Sequence, residues 1–388
     1  MTVKEEERLI GTSTKRDVSS RDESGSRSIT QYSTREIQVS LKGEARVIHI
    51  KAGAGFLAWL TSYDPAKLKT DTANICHLSF LRCLVGPVAR FLLSFTRPKI
   101  PRTKCLELTL GGVRTLVVTT PRSKPDKVCL YLHGGYYICK CPEDYALLCS
   151  YLADYMQATV YIPDYRLAPE HYFPAQLNDG VATYKALLTD HNIDPKHIIV
   201  GGDSAGGNLA IVMLLKLRDE GVPLPSSTFL LSPWADPSAS HPEYDSEAFL
   251  ARDYILGGNM SYQKSQGRKG AAGYFCQEGE DLANPYICPV LGDFTGFPPT
   301  MIQVSPEECF YVDCVALKDA ILRPPKDTSS VSSSTLCVPH TPCVEFVECK
   351  GLWHVHQEFV ELPEAIASIE LIAQFVDRHM HRTGEGEG

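Results

Sequence analysis

A chain of 388 residues, 44% apolar and 22% charged, has globular composition and room for two domains or one large α/β domain with additions. Its net charge of −8, with no basic stretch interleaved with aromatics, excludes a nucleic-acid-binding role. No apolar run reaches the ~18 residues that span a bilayer, and the acidic opening Met1-Thr2-Val3-Lys4-Glu5-Glu6-Glu7 is neither a signal nor a transit peptide.

Residues 1–40 are rich in Ser, Thr, Arg, Asp and Glu, and disorder is expected there. A single domain is expected over residues 41–388. Residues 41–100 read as apolar and helical. In the stretch Leu78 to Phe95, Leu81, Leu84, Val85, Val88, Phe91 and Leu92 recur at helical spacing between Arg82 and Arg90. That pattern predicts an amphipathic helix packed on the body, not a membrane anchor. Cys105 to Leu110 and Val113 to Thr119, joined by Gly111-Gly112, carry a hairpin signal.

Strands and helices then alternate: Lys127 to His133 (strand), Glu143 to Met156 (helix), Thr159 to Pro163 (strand) and Ala175 to Thr189 (helix). Ile198 to Gly202, Ala205 to Arg218 and Ser227 to Leu231 continue as strand, helix and strand. An insertion over residues 234–298, with helical pieces at Ser246 to Tyr254 and near Tyr262, is too long for a plain loop and is expected to cap the site. The alternation resumes with strand Thr300 to Val304, helix Cys309 to Leu322, strand Val344 to Cys349 and helix Pro363 to His381. Residues 324–342, rich in serine and proline, read as a flexible loop. The expected fold class is α/β: a mostly parallel sheet with helices on both faces and a helical cap. The 14 cysteines lack C-x-x-C pairs, and Cys139-Lys140-Cys141 is one spacer short of a zinc half-site. They are read as mostly buried, reduced thiols of a cytoplasmic protein.

The chemistry-bearing feature is Gly202-Asp203-Ser204-Ala205-Gly206-Gly207, a G-x-S-x-G frame between a strand and a helix. A serine hydroxyl becomes a useful nucleophile when a sharp turn exposes it beside a base and an oxyanion pocket. The bland alternative is an ordinary glycine-rich turn, so the partners decide. A base is available after the last strand, in Gly351-Leu352-Trp353-His354-Val355-His356, where His354 and His356 compete. An acid is available after Thr300 to Val304, in Ser305-Pro306-Glu307-Glu308; Asp313 lies farther along the next helix and is assigned to structure. Oxyanion donors are expected from the N–H of Ala205 and from Gly134 and Gly135, in His133-Gly134-Gly135-Tyr136-Tyr137. The order Ser, acid, His, each after a strand, is that of an α/β-hydrolase.

With these residues the chain resembles the hormone-sensitive-lipase-like family of α/β-hydrolases, including arylacetamide deacetylases and microbial and fungal esterases, over roughly residues 105–380. His133-Gly134-Gly135 looks like the family's H-G-G-G, Asp164-Tyr165-Arg166-Leu167-Ala168-Pro169-Glu170 with Phe173-Pro174-Ala175 and Asp179 like its Y-R-L-A-P-E stretch, and Leu231-Ser232-Pro233-Trp234 is also shared. The resemblance implies Ser204 as nucleophile, His354 as base three residues after Gly351, and Glu308 as acid, with Glu307 the weaker alternative because Ser305 replaces a family glycine. It also implies that residues 41–100 and 234–298 form a cap. The chain departs from the family at Tyr136, which replaces the third glycine and, with Tyr137, is expected to line a pocket suited to a short acyl group.

These residues and the resemblance together point to a cofactor-independent, metal-free serine esterase or deacetylase for a small apolar ester. The resemblance also raises a place in natural-product tailoring. The alternatives are an amide or formamide hydrolase, a non-catalytic small-molecule receptor on the same fold, and a membrane-surface lipase, which the acidic charge disfavours. Oligomeric state stays open.

Overall fold

The computed structural model describes residues 13–21, 27–38, 102–253, 255–257, 260, 272–323 and 343–381; in 13–21, 27–38 and at 381 it describes backbone alone. The strands are β1 (Ser13–Arg21), β2 (Arg27–Gln38), β3 (Lys104–Leu110), β4 (Val113–Thr119), β5 (Lys124–Leu132), β6 (Ala158–Pro163), β7 (Ile198–Asp203), β8 (Ser227–Leu231), β9 (Thr300–Val304) and β10 (Val344–Lys350). Among the described residues they form one sheet in the order β1-β2-β10-β9-β8-β7-β5-β6-β4-β3. Pairing is parallel from β2 through β6 and antiparallel for β1–β2, β4–β6 and β3–β4.

The central strands β7, β8 and β9 are buried along their whole length, as a sheet covered on both faces requires. Successive side chains go to opposite faces. Val128, Leu130 and Leu132 pack into one core with helices α2 (Ala175–Thr189) and α3 (Ser204–Asp219) and with α5 (Tyr311–Ile321). Cys129 and Tyr131 pack into the other, with α1 (Ala146–Met156) and α6 (Pro363–His381). The expected α/β alternation is borne out to within a few residues at each boundary. The exceptions are the helix start at Glu143, which is a 3-10 turn, Pro142–Tyr145, and the piece Ser246 to Tyr254, which is the single turn α4 (Glu247–Leu250).

Within residues 1–40, expected to be disordered, the described segments Ser13–Arg21 and Arg27–Gln38 are strands. β1 and β2 form an antiparallel hairpin, and β2 lies parallel to β10, from Ser33 opposite Glu345 to Gln38 opposite Lys350. Without it β10 would be an edge with open N–H and C=O groups, a template for added pairing. Low hydrophobicity argues against a packed core but not against a strand on an existing edge. The expected helix at Leu78 to Phe95, the whole cap segment 41–100, the helical piece near Tyr262 and the loop 324–342 lie outside the described residues. No helix among the described residues is long and apolar enough to cross a membrane. Cys129, Cys149, Cys309, Cys314 and Cys349 are buried free thiols whose pKa burial drives up.

Candidate active site

Because β5, β7, β9 and β10 run parallel, their C-terminal ends open on one edge of the sheet. The residues singled out from sequence follow those ends: Gly134 after β5, Ser204 after β7, Glu308 after β9 and His354 after β10. Ser204 begins α3 with φ +52°, a left-handed conformation that costs a non-glycine residue on the order of 1–2 kcal/mol. Close packing holds the turn. A Cβ on Gly206 would sit 2.1 Å from the Leu132 carbonyl oxygen and 2.3 Å from that of His133, so only glycine fits beneath the serine. The Ser204 carbonyl accepts the Trp234 N–H at 2.9 Å.

His354 Nδ1 lies 2.8 Å from Glu308 Oε2. The other carboxylate oxygen of Glu308 accepts the Ser305 N–H at 2.7 Å and the Ser232 hydroxyl at 2.9 Å. Burial raises the Glu308 pKa, and the His354 bond and charge pull against it. Burial alone would lower the His354 imidazole, but the bond to Glu308 and its charge outweigh this and hold it above the usual value. Phe310 stands edge-on to His354, with ring centroids 5.3 Å apart, and stacks on Trp234. The ring is therefore oriented by a carboxylate on one side and an aromatic wall on another.

The competing residues face elsewhere. Glu307 accepts the Ser305 hydroxyl at 2.5 Å and the Gly351 N–H at 3.1 Å. His356 contacts the Ser368 hydroxyl at 2.8 Å, and burial lowers its pKa to about 3. Asp313 accepts the Tyr244 hydroxyl at 2.9 Å.

The assignment of Gly134 to the oxyanion hole is corrected. Its N–H is 3.0 Å from Asp203 Oδ1 and 3.0 Å from the Tyr145 hydroxyl, so it is committed to the protein. Gly135 (φ +111°), Tyr136 (φ +55°) and Tyr137 (φ +63°) then carry the chain through a left-handed turn closed by the Ile138 and Cys139 N–H groups on the Gly135 carbonyl. Tyr136 packs against Trp234 and Tyr274, at 5.7 and 5.4 Å between centroids, and its hydroxyl is buried. Tyr137 packs on Phe275 and donates to Asn208 Oδ1 at 2.7 Å. Trp234, Tyr274 and Phe275 all belong to the 234–298 insertion, which thus reaches the loop after β5.

Sequence reasoning assigned no role to Asp203, Tyr131 or Tyr145. Asp203 is 1% exposed and accepts Tyr131 at 2.9 Å, Tyr145 at 2.8 Å and Gly134. Its pKa is pushed up to about 6 by burial, then by the charge of Glu358, with Lys140 and the two tyrosines opposing. Ser232 was noted only within a shared stretch; it is a hydroxyl brace for Glu308. His133 stacks on Tyr165 at 4.3 Å, and burial lowers its pKa to about 4, so it is a neutral support of the loop.

A family model described as the alpha/beta hydrolase fold matches residues 129–331. An acetyl-hydrolase of Streptomyces hygroscopicus is 35% identical over 69% of this chain and 79% of its own length. An esterase of Acinetobacter venetianus is 27% identical over 82% of this chain and 96% of its own. The crystal structure of an esterase from the bacterial hormone-sensitive lipase family superposes with a TM-score of 0.69, at 26% identity, covering 88% of this chain and 100% of that one.

Proposed function

The chain belongs to the α/β-hydrolase fold family, and from that premise we propose that it is a hormone-sensitive-lipase-type serine esterase that removes a short acyl group from a small apolar ester. Ser204 attacks the ester carbonyl, and His354 takes its proton and passes it to the departing alcohol. Glu308 holds the Nδ1–H tautomer and stabilises the imidazolium. Water, deprotonated by His354, then releases the acid from the acyl-enzyme. The N–H groups of Ala205, Gly135 and Tyr136 receive the oxyanion; Gly134 braces the loop from behind. Residues 234–298, through Trp234, Tyr274 and Phe275, act as part of a cap.

The observation that carries this reading is the 2.8 Å contact of His354 with a buried Glu308, at the edge where Ser204 sits on a strained turn. The short-acyl preference rests on Tyr136, whose ring packs against Trp234 and Tyr274 of the insertion, where a glycine would leave space open. The test is a panel of p-nitrophenyl esters with a fluorophosphonate label. Wild type should take the label and prefer acetate to octanoate, and Ser204→Ala should do neither. Labelling of Ser204→Ala would defeat the nucleophile assignment, and faster cleavage of octanoate would defeat the acyl assignment.

A further inference from the structure

We propose that Lys140 and Glu358 are positioning residues that lock the oxyanion loop to the histidine turn, with Tyr145 joining the lock to Asp203. Lys140 follows Gly135 by five residues and sits at φ +70°, so a strained backbone has placed its side chain. Its Nζ is 2.6 Å from Glu358 Oε1 and 3.0 Å from the Tyr145 hydroxyl, and it lies over the Tyr145 ring at 4.7 Å. Glu358 ends the 3-10 turn His356–Glu358, four residues after His354. That turn is capped by the residue before it, Val355, itself at φ +50°.

The bonds run in one direction. Lys140 donates to both Glu358 and Tyr145. Tyr145 accepts that bond and the Gly134 N–H, and gives its single proton to Asp203 Oδ2 at 2.8 Å. Asp203 Oδ1 takes the Gly134 N–H at 3.0 Å. The residue before the nucleophile, the loop holding the oxyanion donors and the turn after the base are thus joined through one ammonium group. Lys140 and Glu358 are each about one-third exposed, at 34% and 32%, and ion pairs in such settings contribute little to folding. Their effect therefore falls on geometry, where a displacement of about 1 Å costs up to ~100-fold in rate.

The inference rests on the esterase reading. Its test compares Lys140→Met, Glu358→Met and Lys140→Arg with wild type in the full chain, on p-nitrophenyl acetate. Both methionine variants should lose about 10- to 100-fold in kcat, with KM within about twofold and the melting temperature within about 2 °C. Lys140→Arg should recover most of the rate, because it restores the cation and its donors. Full kcat in either methionine variant, or a loss that follows a fall in melting temperature, would overturn the lock while leaving Ser204-dependent hydrolysis by the wild type intact. A wild type inert toward every ester would overturn the esterase reading, and this inference with it.

Discussion

Replacing Glu308 with Gln isolates one charge while keeping the shape of the side chain. The carbonyl oxygen of the new amide stays on the Ser305 N–H and the Ser232 hydroxyl, now at 2.7 and 2.9 Å, because both are donors. The NH2 group is then turned toward His354 Nδ1, where the carboxylate stood at 2.8 Å. The imidazole must accept there, so its proton moves to Nε2 and the ring cannot act as base toward Ser204. The analogous change in a serine-protease triad costs ~10⁴ in kcat, which is about 5.5 kcal/mol of barrier at ~1.36 kcal/mol per decade. The pH profile gives an independent check. Glu308 holds the His354 pKa above its ordinary value, and a histidine base works only when neutral, so on the proposed mechanism wild-type kcat/KM should be lost as pH falls through that raised value. In the variant the Glu308 bond and charge no longer oppose burial, leaving only the weaker charges of Asp253 and Asp203, and the acid limb of the residual activity moves to lower pH. The assay is kcat/KM on p-nitrophenyl acetate across neutral and mildly acidic pH. A loss below about tenfold, or an acid limb that stays in place, would refute the argument.

Glu307→Gln, by contrast, should keep kcat within about threefold, since Glu307 holds only Ser305 and Gly351; a loss equal to that of Glu308→Gln would reverse the acid assignment. Ser204→Gly should abolish turnover yet raise the melting temperature by about 1 °C, because relief of about 1–2 kcal/mol of strain at φ +52° outweighs the unfolded-state entropy that glycine adds; a clear fall in stability in calorimetry counts against the strain. Gly206→Ala drives a methyl into two carbonyl oxygens and should cost several kcal/mol, seen as loss of soluble, cooperatively unfolding protein. Tyr136→Gly should raise the octanoate-to-acetate ratio of kcat/KM by about tenfold or more, and an unmoved ratio would detach Tyr136 from acyl selection.

What could be read from sequence was what depends on local pattern. The buried runs of β7, β8 and β9 are apolar because both faces are covered, and the helix α3 follows a glycine frame that only a tight turn demands. The meeting of Glu308 with His354, at the edge that also carries Ser204, could be anticipated because parallel strands bring their C-terminal ends to one edge. Gly134 was misread because the direction of a backbone N–H is set by a partner 69 positions away, the carboxylate of Asp203. The β1–β2 hairpin was missed for a similar reason: its stabilising partner is β10, at the other end of the chain. Lys140, Tyr145 and Glu358 lie at spacings that match no motif, and only the folded arrangement joins them. An aspartate inside the glycine frame, in a position too buried for solvent, was the one available hint of that network.

The left-handed residues have an uneven distribution with its own consequence. Of the nine non-glycine left-handed residues described, six (Tyr136, Tyr137, Lys140, Ser204, Ser232 and Val355) fall just after the C-terminal ends of β5, β7, β8 and β10, against Gln157, Asn192 and Ala239 elsewhere. Beneath them β7, β8 and β9 are buried along their whole length, so the chain joins a stiff base to a rim kept under tension. Regions of that kind open sub-globally before the whole structure melts. In mild urea, catalytic activity and the fluorescence of Trp234 and Trp353 should therefore fade while far-UV ellipticity still reports an intact sheet.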